Sequence, residues 1–393
     1  MITRYDDQPA AMIFKNKLER RNIKVYIHRY TKGYPTDVDT IVSDEGYGSN
    51  DYIETKNQLV VVTGPGPGSG KLATCLSQLY HEHKMGVKAG YAKLETFPVW
   101  NLPLKHPVNL AYEAATADIM DFNQVDPFHL EAHQKIAINY NRDIEVFPVL
   151  KNILEKISGT GAVYKSPTEM GVNKVGFAIK DDDAVQESAK QELIRRYFRY
   201  KCEFAMGLVN KETLQRVQLL MNELGVKTDD RKVVTMARKS VTEAPQQQQK
   251  GNEGILCGAA IELHDGAFIT GNNSPLMHAA SSLIINAIKH LAGIPKKIHL
   301  LPHSITKTIG DFKINILNTK SASLDLEEML IALSISAMTN SASQLAIENL
   351  KDLRDCEIHM THIPTPGDEA GLRRLGINVT SDSNFSTNNL FIK

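Results

Sequence analysis

The chain has 393 residues, of which 42% are apolar and 23% are charged, and its 45 basic residues balance 45 acidic ones. This length exceeds what one hydrophobic core usually serves, so more than one domain is expected. Zero formal net charge provides no overall field to attract nucleic acid or an anionic membrane, so we expect neither as a partner.

The sequence carries no sign of export, of membrane insertion or of a cysteine-based metal site. The segment Met1–Asp7 has two acidic residues and no apolar core, which is unlike a signal peptide. No run of eighteen apolar residues occurs, so no membrane-spanning helix is predicted. The cysteines are far apart and form no C-x-x-C pair: Cys75, Cys202, Cys257 and Cys356. These features together predict a cytoplasmic protein.

The first part of the chain has the pattern of a parallel α/β domain. The predicted elements are a helix at 11–20, a short strand at 23–28, a polar loop at 43–51, a buried strand at 58–63, a helix with Leu72, Cys75, Leu76, Leu79 and Tyr80 on one face, and an extended segment from Val87 to Tyr91. The strand at 58–63 is β-branched and uninterrupted, as parallel sheets prefer. A strand–turn–helix–strand order implies parallel pairing through a right-handed crossover.

Between the predicted buried strand and the next helix lies the glycine-rich turn Gly64–Lys71. Backbone N–H groups at such a turn point to one spot, where the helix dipole also favours negative charge. Glycine is required because a side chain would block the anion or forbid the backbone angles. Lys71 adds a positive charge for a terminal phosphate. The predicted ligand-binding residues are Gly64, Gly66, Gly68, Ser69, Gly70, Lys71 and Thr74.

The turn departs from the standard phosphate loop at two positions. Pro65 stands where that pattern has its first glycine, and Leu72 stands where it has the Ser or Thr that binds magnesium. The cofactor therefore stays unidentified: a nucleotide suits the turn, whereas ordinary magnesium-dependent NTP hydrolysis is disfavoured. The alternative interpretation is a tight strand-to-helix connection whose glycines serve packing alone.

Polar side chains are dense on the segments that follow the turn. Loops that leave neighbouring parallel strands converge at one edge of a sheet, so a ligand cleft is expected there. The weaker candidates for catalysis are Lys93, Glu95, His106, Asp126, His129 and Arg142. His129 and His133 lie four residues apart, which would suit a metal on a helix, but no third ligand can be named. No metal site is predicted.

The rest of the chain is first helical and then α/β. Residues 182–224 have helical periodicity, and Gly225 stands where a glycine would end a helix. Residues 232–236 predict a strand, and the polar run 246–254 predicts an exposed connection. The remaining predicted elements are a strand at 258–263, a helix at 275–291, a strand at 297–301, a helix at 324–338, a short helix at 367–376 and a strand at 377–380.

The last third resembles the cytidine deaminases in the order and spacing of its motifs. The matching runs are Cys257–Gly266, Ile269–Asn273 and His278–Ala280, the last of which opens a helix. Deaminases use a glutamate as proton shuttle at this helix and a P-C-x-x-C pair as further zinc ligands. Ala280 replaces the glutamate here, and no C-x-x-C follows. The resemblance implies a deaminase-like fold without zinc chemistry.

Several longer runs carry a second resemblance, which spans essentially the whole chain. The runs are Asn50–Thr55, Leu59–Lys71, Thr74–His83, Asn101–Asn109, Pro275–Ala280 and His362–Ala370. They resemble a bacterial family catalogued as domain of unknown function eighteen forty-six. This resemblance implies a cytoplasmic, multi-domain protein with a helical middle, and it implies no activity. Family members begin with a further α/β segment, so we expect this chain to lack that segment and to expose a sheet edge.

The predicted fold class is α/β, with a parallel-sheet domain at 1–175, a helical segment at 176–226 and a three-layer deaminase-like domain at 227–393. The turn predicts a protein that binds a nucleotide or another phosphorylated small molecule. Phosphoryl or nucleotidyl transfer is the reaction class that suits such a site. Two alternatives stay open: a non-catalytic ligand-sensing or assembly protein, and a metal-dependent hydrolase that uses His129 and His133. Whether the chain is an enzyme and whether it forms homo-oligomers also stay open.

Overall fold

The computed structural model describes residues 1–66, 68–94, 98–161, 163–172, 175–243, 251–252 and 254–387. Contacts divide the chain into two compact units, of which unit 1 comprises residues 1–113 and 121–182, and unit 2 comprises residues 114–120 and 183–393. Both units combine helices with small sheets, so the protein is of mixed α/β class. None of the helices in the described ranges has the length and the apolar character that crossing a membrane requires.

Unit 1 is mainly helical, and its described strands form two-stranded sheets. Its helices are α1 (Pro9–Glu19), α2 (Val38–Ile41), α3 (Lys71–Lys84), α4 (Pro107–Ala115), α5 (Pro127–His133), α6 (Asn141–Ser158), α7 (Pro167–Met170) and α8 (Val175–Ala178). Its strands are β1 (Ile2–Tyr5), β2 (Ile27–Arg29), β3 (Lys93–Leu94), β4 (Asn123–Val125), β5 (Ile138–Tyr140) and β6 (Gly171–Val172). β1 pairs with β2 and β3 with β6 in parallel, whereas β4 and β5 are antiparallel.

The core of unit 1 lies where α3 packs against α6. Both helices repeat apolar residues at three- and four-residue spacing, so each buries one face. The buried side chains of this cluster are Ile41, Tyr47, Leu76, Leu79, Phe147, Leu150, Ile153, Leu154 and Met170. This packing fixes the axis of α3, and with it the position of the glycine-rich turn at the start of that helix.

The prediction of a buried strand at 58–63 is wrong. These residues have irregular backbone, and the side chains of Leu59 and Val61 are 82% and 74% exposed. A strand satisfies its N–H and C=O groups through a neighbouring strand, and no described strand pairs with this run. The predicted extended segment Val87–Tyr91 likewise lacks strand pairing, which begins only at Lys93. The turn is therefore reached from an exposed segment instead of the middle of a parallel sheet.

The substitution Val61→Ser is expected to change the free energy of unfolding by no more than about 0.5 kcal/mol, because the side chain is already in water. Leu150→Ala in the core is the matched control, since Leu150 is 5% exposed and its truncation should cost about 2–5 kcal/mol. Urea denaturation of the two variants measures both values. A loss at Val61 comparable to that at Leu150 would show that the run is buried after all.

Unit 2 is built around one four-stranded sheet. Its helices are α9 (Asp182–Ala205), α10 (Lys211–Leu224), α11 (Lys232–Thr242), α12 (Ala279–Leu291), α13 (His303–Asn315), α14 (Leu326–Ser336), α15 (Ser341–Glu348) and α16 (Pro366–Arg374). Its strands are β7 (Gly258–Glu262), β8 (Phe268–Asn272), β9 (Glu357–Met360) and β10 (Asn378–Ser381). The order across the sheet is β10-β9-β7-β8, with β9 and β10 parallel and the other neighbours antiparallel.

The sheet of unit 2 is packed against helices, and its central strand β7 is almost entirely buried. β7 and β8 form a hairpin whose turn contains Gly266 with φ of 82°, in the left-handed region that glycine tolerates. α11 and α12 pack against β7 and β8. The central core residues are Ala259, Ile261, Leu283, Ile284, Ile288, Met329, Leu333, Ile358 and Leu372. The helix α16 joins β9 to the parallel strand β10, which places the start of α16 at the carboxyl end of β9.

The helical predictions for this part of the chain are confirmed. α9 and α10 occupy the predicted helical stretch 182–224, and Gly225 ends α10 with φ of 66°. Helices and strands also occur at the predicted positions of β7, α12, α14, α16 and β10. The polar connection predicted at 246–254 falls largely outside the described residues.

Two predicted strands in unit 2 are wrong. Residues 232–236 begin the helix α11, which buries Val233, Val234 and Ala237 against the sheet, so tertiary packing outweighs the strand preference of the valines. Residues 297–301 form no strand. Their carbonyl groups accept hydrogen bonds from side chains instead of from a neighbouring strand. Lys289 Nζ donates to the carbonyl of Ile298 at 2.7 Å, and two serine hydroxyls, those of Ser336 and Ser343, donate to the carbonyl of Leu300 at 2.6 Å.

Candidate functional site

The glycine-rich turn leads directly into α3, and two of its glycines are fixed by close contacts. Gly70 has φ of 82°, and a Cβ at this residue would lie 2.9 Å from Thr3 Cβ. A Cβ at Gly64 would lie 2.5 Å from Ser69 Oγ. Gly66, by contrast, has no atom within 4 Å of such a Cβ, so packing does not explain that glycine. The turn is thus closely folded at both ends and open in its middle.

The first turn of α3 presents backbone donors that the protein itself leaves unused. No side chain caps this helix at Gly70, and Gly70 has the first carbonyl of the helix, which accepts from Thr74 N–H at 2.9 Å. Within the described part of the chain, no group accepts a hydrogen bond from the N–H of Lys71, Leu72 or Ala73. Such N–H groups carry the positive end of the helix dipole, so an anion is favoured at this point.

Two cationic side chains lie at the same turn. Lys71 Nζ donates to the carbonyl of Gly66 at 2.7 Å and to Ser69 Oγ at 3.2 Å, so the lysine folds back over the loop. A guanidinium nitrogen of Arg4 lies 3.4 Å from the position that a Cβ on Gly68 would occupy. No described residue accepts a hydrogen bond from this guanidinium, and the residue is exposed. Lys71 is therefore hydrogen-bonded within the turn, whereas the guanidinium of Arg4 has no acceptor among the described residues.

The strand β1 also contributes to this turn, which no sequence pattern predicted. Thr3 donates its hydroxyl to the carbonyl of Ser69 at 3.0 Å, and Arg4 follows it in the strand. No spacing rule connects residues that lie more than sixty positions apart, so no signal in the sequence could have found them. Thr74 was predicted as a ligand-binding residue, but its hydroxyl donates to the carbonyl of Gly70 at 2.9 Å and the residue is 2% exposed.

A second polar cluster joins α5 to α7. Asp126 is fully buried and caps α5 by accepting the N–H of His129 at 3.0 Å, while its other oxygen accepts the hydroxyl of Thr168 at 2.6 Å. The ring of His129 lies with Nδ1 3.0 Å from the buried Ser166 Oγ. Burial, followed by the neighbouring His133, lowers the pKa of His129. Asp126 binds the backbone of His129 and not its ring, so the three side chains do not form a catalytic triad.

The histidine pair of α5 is engaged within the protein. His133 Nε2 donates to Glu169 Oε1 at 2.5 Å, and the rings of His129 and His133 are 4.7 Å apart. Burial would raise the pKa of Glu169, but hydrogen bonds from Lys165 N–H and from His133 outweigh it and leave this pKa lowered. Among the described residues, no group of three or more His, Cys, Asp or Glu side chains is arranged to hold a metal ion. The arrangement of these side chains therefore does not support a metal-dependent hydrolase that uses His129 and His133.

Three other catalytic candidates of unit 1, Lys93, Arg142 and His106, each pair with a carboxylate. Lys93 bonds Asp143 and the hydroxyl of Tyr140. Arg142 donates to the buried Asp121 at 2.5 Å, and His106 Nε2 donates to Asp182 at 3.1 Å. Burial raises the pKa of Asp121, and the charge of Arg142 opposes that rise. Glu95 lies outside the described residues. Lys93 and Arg142 lie near one another, because the pKa of Asp121 responds to Arg142, to Asp143 and to Lys93.

A third cluster is centred on His278, which lies in one of the runs that resemble the deaminases. It is the residue before α12, and its Nδ1 donates to Asp368 Oδ2 at 2.8 Å. The nearby Cys257 is 5% exposed, and burial raises the pKa of its thiol to about 12. The four cysteines are all free thiols. No sequence pattern pointed to Asp368 as a partner of His278, because the two residues lie ninety positions apart.

Comparison with known proteins covers the whole chain. Residues 1–225 match the family described as "Domain of unknown function DUF1846, N-terminal", and residues 229–391 match its C-terminal counterpart. A UPF0371 protein from Clostridium botulinum strain Alaska E43 is 56% identical over 392 residues, which cover 100% of this chain and 78% of the relative. A second UPF0371 protein, from strain ATCC 19397 of that species, is 55% identical over the same extent. The chain therefore belongs to the DUF1846 family.

Proposed function

We propose that this protein binds the phosphate group of a small phosphorylated molecule at the turn Gly64–Lys71. The observation that carries the proposal is the uncapped start of α3, where three successive N–H groups have no acceptor among the described residues. Lys71 and Arg4 add positive charge at the same place. Free N–H groups, a helix dipole and two cations are the features that a phosphate dianion requires. The open middle of the turn at Gly66 leaves room for it.

The ligand in this proposal is held by the protein alone, without magnesium. Leu72 offers no hydroxyl to a metal, and the hydroxyl of Thr74 already donates to Gly70. A nucleotide or another phosphorylated metabolite would therefore bind through hydrogen bonds and charge. Binding is the function that we propose here, and ligand sensing is favoured over phosphoryl or nucleotidyl transfer. The reason is that Lys93, Arg142 and Asp126 are each bonded to another side chain of the protein.

We also propose that residues 227–393 form a domain of cytidine-deaminase-like type, after an α/β domain with the glycine-rich turn at 1–175 and a helical segment at 176–226. Support comes from the β7–β8 hairpin, the sheet order β10-β9-β7-β8 and the position of His278 at the start of α12. We do not propose deaminase activity for this domain, because Ala280 stands in place of the glutamate that deaminases need.

A thermal-shift titration of the purified protein tests phosphate binding. Inorganic phosphate, ATP, GTP, NAD and a sugar phosphate are each added with and without magnesium. A ligand at about 100 times its Kd should stabilise the folded protein by about 2.7 kcal/mol and raise Tm accordingly. Lys71→Met should bind at least about tenfold more weakly, since it loses a charge-assisted hydrogen bond.

The matched control is Lys88→Met, which removes the same charge from an exposed lysine of unit 1. It should respond to the ligand as the parent protein does. If none of the phosphorylated compounds raises Tm, or if Lys71→Met and Lys88→Met respond alike, the turn is not the binding site. A response that requires magnesium would contradict the metal-free mode of binding.

A further inference from the structure

A cluster of polar groups lies at one edge of the sheet of unit 2, where three helices begin. β9 and β10 are parallel, and in α/β sheets ligands bind beyond the carboxyl ends of such strands. α16 begins shortly after β9, with Thr365 as its capping residue and Asp368 in its first turn. Hydrogen bonds join Asp368 to His278, which precedes α12, and to the first residue of α14.

The central feature is an imidazole that a buried carboxylate holds in one orientation. Asp368 is 2% exposed and accepts the N–H of Leu326 at 2.9 Å and the hydroxyl of Thr365 at 2.8 Å. These bonds fix the carboxylate, which accepts the Nδ1–H of His278 at 2.8 Å. The Nε2 atom of His278 has no partner among the described residues, and its side chain is 24% exposed. A histidine held at Nδ1 with a free Nε2 is the arrangement of a general base.

The start of α12 supplies a second observation that points to a ligand. No side chain caps this helix, and His278 provides the first carbonyl, which accepts from Ser282 N–H at 3.0 Å. In the part of the chain that the structure describes, the N–H groups of Ala279, Ala280 and Ser281 have no acceptor. All three residues are at most 2% exposed, and buried N–H groups rarely stay unpaired in folded proteins. A carbonyl oxygen or a water molecule at this terminus would satisfy them.

The surrounding groups decide which atom can act as nucleophile. Cys257 is unsuitable because burial, assisted by the charge of Asp368, keeps its thiol protonated, with a pKa of about 12. The hydroxyl of Thr365 is committed to Asp368. Water is therefore the nucleophile that remains for His278 to activate. The charges that face His278 are Asp368 of α16, Asp325 before α14 and Lys313 of α13, and the two carboxylates disfavour an anionic substrate.

We propose that unit 2 holds a hydrolytic site of its own, in which His278 acts as general base for a water molecule that attacks a small uncharged ester. The water oxygen forms a bond to the carbonyl carbon while its proton passes to His278 Nε2. The bond between that carbon and the leaving oxygen then breaks, and the imidazolium returns the proton to the leaving oxygen. Water and ester become acid and alcohol, and the histidine is regenerated. Asp368 is a positioning residue for this base.

Release of p-nitrophenolate from p-nitrophenyl acetate by the full chain tests this site. His278→Gln should lower the rate at least about tenfold, which is modest for the loss of a general base. The matched control is His290→Gln, also on α12, whose side chain is 46% exposed and 3.9 Å from Asp265. It should keep the parental rate. Circular dichroism verifies that each variant is folded.

The dependence of the rate on pH separates positioning from a merely structural role. Burial alone would lower the pKa of His278, but the bond to Asp368 outweighs it and raises this pKa. The rate should therefore rise as His278 loses its proton, at a pH above the ordinary histidine value, and Asp368→Asn should move that midpoint downwards. If Asp368→Asn does not fold, nitrogen NMR of the parental imidazole gives the same information, because Nδ1 should carry the proton of the neutral ring.

Three results would overturn the proposal. The first is a parental rate no higher than that of free imidazole at equal concentration. The second is equal rates for His278→Gln and His290→Gln. The third is an NMR spectrum in which Nε2, instead of Nδ1, carries the proton of neutral His278. None of these results bears on phosphate binding at the glycine-rich turn, which lies in unit 1.

Discussion

The double variant Arg4→Met/Lys71→Met is expected to lose all measurable stabilisation by phosphate or by the phosphorylated ligand that the parent protein binds. Each cation would give a charge-assisted hydrogen bond to the anion, and each such bond contributes about 1.5–3 kcal/mol. Loss of both corresponds to a fall in affinity of about 100-fold or more. Isothermal titration calorimetry at low salt measures the change in Kd directly.

The two single variants add information about geometry. Lys71 already bonds Gly66 and Ser69, so the ligand must draw it out of these contacts, whereas Arg4 is free to bind at once. Arg4→Met should therefore weaken binding at least as much as Lys71→Met. The matched control is Lys17→Met/Arg20→Met, which removes the same two charges from exposed positions of α1 and just after it. Equal losses in the two double variants would mean that overall charge, and not the turn, attracts the ligand.

The substitution Arg231→Met should be the most destabilising of the changes considered for unit 2, at about 3–5 kcal/mol. Arg231 is 2% exposed and forms an ion pair with Glu357. Its guanidinium also donates to Thr380 Oγ1 at 3.0 Å and to the carbonyls of Ile358 and Asn378 at 3.2 Å. Its removal leaves buried acceptors of two strands without a donor, and the penalty for unpaired buried groups exceeds the value of the pair itself.

The urea-induced unfolding transition of unit 2 measures this loss. Arg374→Met provides the matched control, because its side chain is 77% exposed although it also pairs with a glutamate, Glu327. Exposed pairs contribute about 0–1 kcal/mol, so the control should unfold almost as the parent does. A loss at Arg231 that stays within about 1 kcal/mol of the control would show that the buried contacts have little effect on stability.

The candidate sites differ in how far the sequence could predict them. The glycines and Lys71 of the turn are adjacent in the chain, so their pattern was visible without a structure. The bond from Thr168 to Asp126 and the bond between His133 and Glu169 were not visible, because they depend on how α5 packs on α7. Arg4 and Asp368 could not be found at all, since only the fold brings Arg4 to Gly68 and Asp368 to His278. Residues that belong to no recognisable sequence motif become candidates for a functional site only when folding brings distant segments together.

Local pattern alone determined several of the helices and turns. Apolar residues at helical spacing determined α9, α10 and α12, and glycine at left-handed positions determined the end of α10 and the β7–β8 turn. Only the tertiary structure determined the backbone conformation of the apolar runs at 58–63 and 232–236. A β-branched run becomes a strand only if another strand pairs with it, and it becomes a helix if packing buries its helical face. Pairing and packing involve distant residues, so the exposed run, the helix α11 and the partners of His278 follow from the fold and not from the local sequence.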